Sequence, residues 1–238
     1  MKKLLISVSL VLLLLKIPCA FSADPKFTQQ DIQNFISHIF NDNSQYVSQS
    51  SHSEFHKYSE QQNPRATVVA CSDSRVQTNV FHKSPVNDLF FVRNIGNQIL
   101  STQGSVEYGV RHLHTPVLLI IGHSQCGAIL AALGDYSGES PAIVRELDYL
   151  HLKKSKDLNA GVIENVNNQV NFALKEFKNE IDKNEMVVIG AIYDFRDDFG
   201  HGHGRLILMN INGEKSPEKI KKHKYIQGIE HIAIGQKK

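Results

Sequence analysis

Four short and almost continuously apolar segments, rich in β-branched residues, constrain the fold of this chain more than any other feature. They cover residues 66–70, 89–92, 117–121 and 186–192. A strand buried on both faces of a sheet is apolar throughout, whereas a half-exposed strand alternates apolar and polar residues. Helical periodicity separates most of these segments, over residues 101–114, 140–150 and 162–181. Strands that alternate with helices predict an α/β fold with a mainly parallel central sheet flanked by helices.

Segments outside the four central runs extend this architecture. Thr28-Gln29-Gln30-Asp31 is typical of a helix start, and apolar residues follow it at helical spacing. We therefore predict an N-terminal helical arm over residues 23–63, although residues 41–63 are polar and have the pattern of a loop or a weak helix. Residues 206–211 follow a Gly-rich turn and are compatible with an antiparallel edge strand. The main α/β domain then spans residues 64–214, and residues 215–238 form a basic, solvated C-terminal tail.

The first 22 residues have the pattern of a signal peptide. A basic start precedes an apolar run over residues 4–15, which is shorter than the roughly 20 residues of a membrane-spanning helix. Small residues then predict cleavage after Ser22, with cleavage after Ala23 as the alternative. The residues before Cys19 do not fit a lipidation site, so no stable membrane anchor is expected. The protein is therefore expected to be exported, either to the periplasm or by secretion.

Charge and cysteine content limit the function classes. The chain has 26 Lys and Arg against 24 Asp and Glu, and three of the lysines lie in the signal peptide. The nearly neutral mature chain lacks the basic surface that nucleic-acid binding requires, so no nucleic-acid partner is expected. Cys19 also leaves with the signal, and Cys71 and Cys126 remain. In an oxidising compartment this pair can form one disulfide, so a disulfide-stapled, non-enzymatic binding protein is one hypothesis.

Two polar turns follow the first and third predicted strands. One is Cys71-Ser72-Asp73-Ser74-Arg75, and the other is His123-Ser124-Gln125-Cys126-Gly127. Open α/β sheets form their sites at the carboxyl ends of the strands, where these turns should meet. Thiolate and imidazole donors suit zinc, and a His followed three residues later by a Cys can chelate an ion from the first turn of a helix. The alternative to the disulfide is therefore one zinc ion per chain, held by Cys71, His123 and Cys126.

Three protein ligands leave a fourth position on the metal, which a catalytic zinc keeps for water or substrate. Asp73 can either fill that position or pair with Arg75 and leave it to water, and the sequence keeps both arrangements open. A zinc-bound water loses its proton near neutral pH and becomes a nucleophile. Two thiolates make the ion more electron-rich than three imidazoles would, so we expect a less acidic water and a stronger dependence on alkaline pH.

Three further segments accompany these two turns. They are Arg93-Asn94-Ile95-Gly96-Asn97, Ser105-Val106-Glu107-Tyr108 and Gly190-Ala191-Ile192-Tyr193-Asp194. Together the five motifs resemble the β-class carbonic anhydrases, in the order of that family and over about residues 66–211. The resemblance implies that Cys71, His123 and Cys126 are zinc ligands. It also implies that Asp73 and Arg75 form a catalytic dyad, and that Asp73 can bind zinc in a closed, inactive form.

The resemblance further implies an activity and an assembly. The activity is the reversible hydration of carbon dioxide to bicarbonate and a proton by a zinc-bound hydroxide. The assembly is a homodimer or homotetramer, in which the N-terminal helices embrace the partner. Hydrolysis of carbon disulfide or carbonyl sulfide is the alternative activity, because the same hydroxide can attack those linear molecules.

Two features depart from the family pattern. The chain has no Trp, so a bicarbonate pocket built around Trp, as in some family members, is absent in that form. Residues 197–204 form an unusual insertion, in which His201 and His203 either bind a second metal, relay protons or lie in a mobile turn. Gly96 and Gly122 are expected to permit tight turns beside the site.

Overall fold

The computed structural model describes residues 27–153 and 155–237. The predicted signal peptide and its cleavage site lie outside these residues. The chain divides into two units, the first ending at Lys57 and the second beginning at Tyr58. None of the helices in the described ranges has the length and apolar character that a membrane span requires.

The N-terminal unit contains helix α1 (Gln29–Gln49) and the short helix α2 (His52–His56). The predicted helix start is confirmed, because Thr28 and Asp31 form a capping box. Thr28 Oγ1 accepts the N–H of Asp31 at 3.1 Å, and Asp31 Oδ2 accepts the N–H of Thr28 at 2.9 Å. α1 continues past residue 41, where the sequence pattern does not separate a helix from a loop. No residue of α1 is buried.

The second unit is built on a six-stranded sheet with the strand order β2-β1-β3-β4-β5-β6. The strands are β1 (Ala66–Cys71), β2 (Leu89–Asn94), β3 (Val117–His123), β4 (Val187–Asp194), β5 (Arg205–Ile211) and β6 (Ala233–Ile234). β1 pairs in parallel with β2 and β3, and β3 pairs in parallel with β4, while β5 runs antiparallel to β4. The mainly parallel sheet and its antiparallel strand are therefore confirmed. The short β6, which pairs with β5, takes the edge position.

Helices flank this sheet and fill the connections. They are α3 (Gln103–Glu107), α4 (Gly127–Leu133), α5 (Pro141–Asp148), α6 (Leu158–Glu176), α7 (Lys178–Asp182) and α8 (Pro217–Lys221), with a π-helical turn (Tyr108–His112) after α3 and 3₁₀ turns at Thr78–Val80 and Leu100–Thr102. α6 packs against β3 and β4. Gly122 in β3 permits this approach, because a Cβ at that position would lie 2.7 Å from Val166 Cγ2. Gly122 thus serves helix packing within a strand, and not the tight turn that was expected of it.

The C-terminal segment differs from the predicted solvated tail. α8 packs against the sheet and β6 belongs to it, and Ile220 is fully buried while Ile226 is 6% exposed. Exposed lysines such as Lys219 and Lys221 dominate the composition of this segment. Because lysines are so frequent here, the composition predicts a solvated tail, although isoleucines of this segment are buried.

The strand order places two carboxyl ends side by side at a reversal point. The chain passes from β1 to β2 on one side and then returns to β3 on the other side of β1. Such a reversal opens a crevice beyond the carboxyl ends of the adjacent strands. Cys71 ends β1 and His123 ends β3. The two polar turns therefore meet at the carboxyl ends of two adjacent strands, as predicted.

Candidate metal centre

Three buried side chains with metal-binding atoms converge at the carboxyl ends of β1 and β3. Cys71 and His123 are the last residues of β1 and β3, and Cys126 is the N-cap of α4. Their ligand atoms all lie within 4.8 Å of one another. The structure thus brings together the three residues that the sequence predicts. His123, however, is presented by a strand and not by the first turn of a helix.

The donor set fits a zinc ion. Both cysteines are free, with their sulfur atoms 4.0 Å apart, so the disulfide hypothesis finds no support. His123 is fully buried, and its Nδ1 lies 3.0 Å from the carbonyl oxygen of Ser124, which accepts a hydrogen bond when Nδ1 is protonated. Among the described residues, His123 Nε2 has no hydrogen-bond partner. An unpartnered, buried imidazole nitrogen beside two thiols is a characteristic zinc-binding arrangement.

A hydrogen bond links the sulfur atoms of Cys71 and Cys126. A hydrogen bond from the Cys126 thiol stabilises the Cys71 thiolate and lowers the pKa of Cys71 to about 4. The same hydrogen bond, together with burial, raises the pKa of Cys126 well above its ordinary value. The hydrogen bond thus favours a thiolate at Cys71 and a thiol at Cys126. A metal ion that binds both sulfurs would release the proton of Cys126.

Asp73 and Arg75 form a two-pronged ion pair beside these side chains. Arg75 Nε and Nη2 donate to the two carboxylate oxygens of Asp73 at 2.8 and 2.7 Å, and the backbone N–H of Arg75 donates to Oδ1 at 3.0 Å. The hydrogen bonds from Arg75 lower the pKa of Asp73 to about 2. Asp73 Oδ2 lies 3.9 Å from His123 Nε2. Of the two arrangements that the sequence leaves open, the structure shows the one in which Asp73 is paired with Arg75.

Phe195 and Gln125 hold the guanidinium of Arg75. Arg75 Nη2 donates to the carbonyl oxygen of Gln125 at 3.1 Å, and the guanidinium carbon lies 4.6 Å from the centre of the Phe195 ring. The same ring lies nearly parallel to that of His123, with ring centres 6.1 Å apart. Sequence reasoning missed Phe195. The available signal is its place directly after Asp194, at the carboxyl end of the strand next to β3.

Arg93 is another residue to which sequence reasoning assigned no role. Its Nη2 donates to the carbonyl oxygens of Cys71 and Asp73 at 2.9 and 3.0 Å, and its Nη1 donates to Gln77 Oε1 at 3.2 Å. The side chain thus fixes the backbone of the turn that carries Cys71 and Asp73. A charged residue near the end of an apolar strand is the signal that indicates such a role.

The two histidines of the insertion make hydrogen bonds with the backbone. His201 Nε2 lies 2.7 Å from the carbonyl oxygen of Gly235, and His203 Nδ1 lies 3.3 Å from that of Phe195. Within residues 27–153 and 155–237, neither histidine belongs to a group of three or more side chains that could hold a metal. The hypothesis of a second metal site therefore has no support from the described residues.

Comparisons with known proteins agree with this geometry. A family model described as carbonic anhydrase matches residues 66–201, more than half of the chain. Carbonic anhydrase 2 of Mycobacterium tuberculosis is 41% identical over 73 residues, which are 30% of this chain and 35% of that protein. The carbonic anhydrase of Synechocystis is 33% identical over 144 residues, which are 51% of this chain and 52% of that protein. The chain thus spans about a third to a half of the length of these curated relatives.

A solved structure shows the same fold. The structure of a tetrameric β-carbonic anhydrase from Sordaria macrospora has a TM-score of 0.62 and 22% sequence identity, and the match covers 74% of this chain and 98% of that chain. The family model, the shared fold and the converging Cys-His-Cys side chains all lead to one assignment. This chain belongs to the β-class carbonic anhydrase family.

Proposed function

We propose that the protein catalyses the reversible hydration of carbon dioxide to bicarbonate and a proton. The observation that carries this proposal is the buried trio of Cys71, His123 and Cys126 beside an ionised Asp73–Arg75 pair. Membership of the carbonic anhydrase family supports it. Zinc is the metal that this donor set suits, and when bound it supplies the Lewis acidity that makes water a nucleophile at neutral pH.

The residues of this chain have separable roles in that reaction. Cys71, His123 and Cys126 would hold the metal through their two sulfur atoms and Nε2. Asp73 presents a carboxylate oxygen 3.9 Å from that nitrogen, where it can accept a hydrogen bond from the attacking water and orient it. A carboxyl group whose pKa is about 2 is a weak base, so orientation suits Asp73 better than proton storage. Arg75 donates a hydrogen bond to each carboxylate oxygen and so holds Asp73 beside the ligand atoms.

Stopped-flow measurement of carbon dioxide hydration, on protein of known zinc content, tests this proposal. Cys71→Ser, His123→Ala and Cys126→Ser should each lose zinc and activity together. Carbonyl sulfide and carbon disulfide should be assayed in parallel as competing substrates. A native protein that contains no zinc and does not hydrate carbon dioxide would refute the proposed function.

Export and assembly complete the proposal. The pattern of residues 1–22 supports cleavage of a signal peptide and activity outside the cytoplasm, on carbon dioxide or bicarbonate there. N-terminal sequencing of fractionated protein tests this, and an intact N-terminus in the cytoplasm would contradict it. We also propose a homodimer or homotetramer. The exposed apolar face of α1 and the tetrameric state of the Sordaria macrospora protein support this assembly.

A further inference from the structure

The loop after β2 carries Gly96, whose backbone N–H reaches the metal centre. Gly96 N lies 3.5 Å from Cys71 Sγ, in a buried hydrogen bond. Gly96 has a positive φ of 81°, and a Cβ at this position would lie 2.8 Å from Leu150 Cδ2. Glycine suits this conformation and this space. The position of this loop therefore determines whether the Gly96 N–H can donate to the sulfur.

Two amide side chains from α6 hold this loop. Asn165 Nδ2 donates to the carbonyl oxygen of Gly96 at 2.9 Å, and Gln169 Oε1 accepts the N–H of Ile99 at 2.9 Å. Gln169 Nε2 also donates to Asn165 Oδ1 at 3.2 Å, which links the two amides. Asn165 is fully buried, and Gln169 is 5% exposed. Buried amides are costly unless their hydrogen bonds are made, so the pair favours one position of the loop.

We propose that Asn165 and Gln169 are positioning residues of the metal centre, which act on the Cys71 thiolate by fixing the loop that carries the Gly96 N–H. This inference rests on the proposed zinc-dependent function. A backbone N–H that donates to a thiolate draws charge from the sulfur and weakens its donation to a metal ion. Because two thiolates serve this centre, the hydrogen bond keeps the bound ion more electrophilic. The two amides would thereby adjust the electrophilicity of the bound ion from helix α6.

Cobalt-substituted protein tests this inference, because the sulfur-to-cobalt charge-transfer band reports the donor strength of the thiolates. Asn165→Ala frees the Gly96 carbonyl and lets the loop carry the Gly96 N–H away from Cys71. The band should then shift to lower energy and cobalt affinity should rise, because a thiolate without this hydrogen bond donates more strongly to the ion. Asn168→Ala is the matched control, since Asn168 lies one residue from Gln169 on the same helix and is only half-buried. It should change neither quantity.

The outcomes separate positioning from simple structural support. A folded Asn165→Ala protein whose band and cobalt affinity equal those of the wild type would overturn the inference, even if its thermal stability fell. If Asn165→Ala does not fold, Gln169→Met replaces it. That substitution keeps the volume, removes both hydrogen bonds of the Gln169 amide, and carries the same expectation and the same refutation. A wild-type protein without any sulfur-to-cobalt band would instead refute the proposed metal centre.

Discussion

Arg75 fixes the orientation of the Asp73 carboxylate. Its two-pronged hydrogen bonds engage both oxygens of Asp73, while the Gln125 carbonyl and the Phe195 ring hold the guanidinium in place. Asp73 Oδ2 is nevertheless only 3.9 Å from His123 Nε2. The carboxylate therefore lies beside the nitrogen that would bind the metal. The ion pair thus keeps an anionic oxygen close to the centre without letting it bind there.

Removal of Arg75 should therefore leave zinc bound and lower the activity. In Arg75→Ala the freed carboxylate can turn toward the metal and take the position that water needs, so carbon dioxide hydration should fall on the order of 10²-fold. Elemental analysis and stopped-flow hydration measure the two effects separately. Arg65→Ala is the control, because it removes an exposed ion pair with Asp88 at the other end of β1. Full activity in Arg75→Ala would show that this ion pair is not a gate.

The pKa of Asp73 leads to a prediction about pH. Arg75 lowers this pKa from 3.8 to about 2, so the carboxylate is ionised throughout the neutral and alkaline range. A lowered folded-state pKa stabilises the protein above the unfolded value of about 4, and this contribution disappears as pH falls toward about 2. Asp73→Asn should therefore destabilise the protein more at about pH 7 than at about pH 2, as measured by urea denaturation. It should also lower the hydration rate, measured by stopped flow, because the carboxylate that orients the attacking water is lost.

At the scale of secondary structure, the sequence predicts where strands begin better than where they end. The apolar runs begin with β1, β2 and β3, because side chains buried on both faces must be apolar. β1, β2, β3 and β4 continue past their apolar runs and end at Cys71, Asn94, His123 and Asp194. These residues are polar or reactive, and hydrogen bonds with neighbouring strands hold them in the sheet. Apolar runs do not contain that information, so the runs alone do not predict the strand ends.

The same distinction applies to the metal centre. Cys71, His123 and Cys126 could be predicted because thiol and imidazole groups at two strand ends have few other common roles. Phe195 and Asn165 could not, because Phe195 follows β4, Asn165 lies in α6, and both reach the centre only through tertiary packing. The residues that would bind the metal thus lie in short sequence motifs, whereas the residues that position them come from distant parts of the chain.

Close packing of α6 on the sheet yields a prediction at this scale. A Cβ at residue 122 would lie 2.7 Å from Val166 Cγ2, so Gly122→Ala must displace either the helix or the strand. We expect a loss of about 1–3 kcal/mol in the free energy of unfolding, measured by urea denaturation. Gly138→Ala is the control, since no atom lies within 4 Å of a Cβ there. Equal stability of the two variants would contradict the role given to Gly122.

At the scale of the whole molecule, α1 presents an apolar face that a single chain leaves exposed. The large side chains of this face are between 49% and 68% exposed; they are Ile32, Phe35, Ile36, Ile39 and Phe40. Contiguous apolar surface of this kind is unusual on a monomeric protein and marks an interaction site. The capping box of Thr28 and Asp31 fixes the start of this helix without help from a partner. The helix thus offers a preformed surface, which we assign to the proposed homo-oligomer.

Charges placed on this face should separate the subunits. Phe35→Glu combined with Ile39→Glu puts two carboxylates one turn apart on the apolar side of α1, and burying them unpaired at an interface is costly. In sedimentation velocity experiments the wild type should run as a dimer or tetramer, and the double variant should run as a monomer. Ser37→Glu with Asn41→Glu is the control, because it adds the same charges at the same spacing on the polar side and should leave the assembly intact. Circular dichroism distinguishes dissociation from unfolding, since the separated subunits should keep their secondary structure. A wild-type protein that sediments as a monomer, or a Phe35→Glu and Ile39→Glu variant that stays assembled, would rule out α1 as the interface.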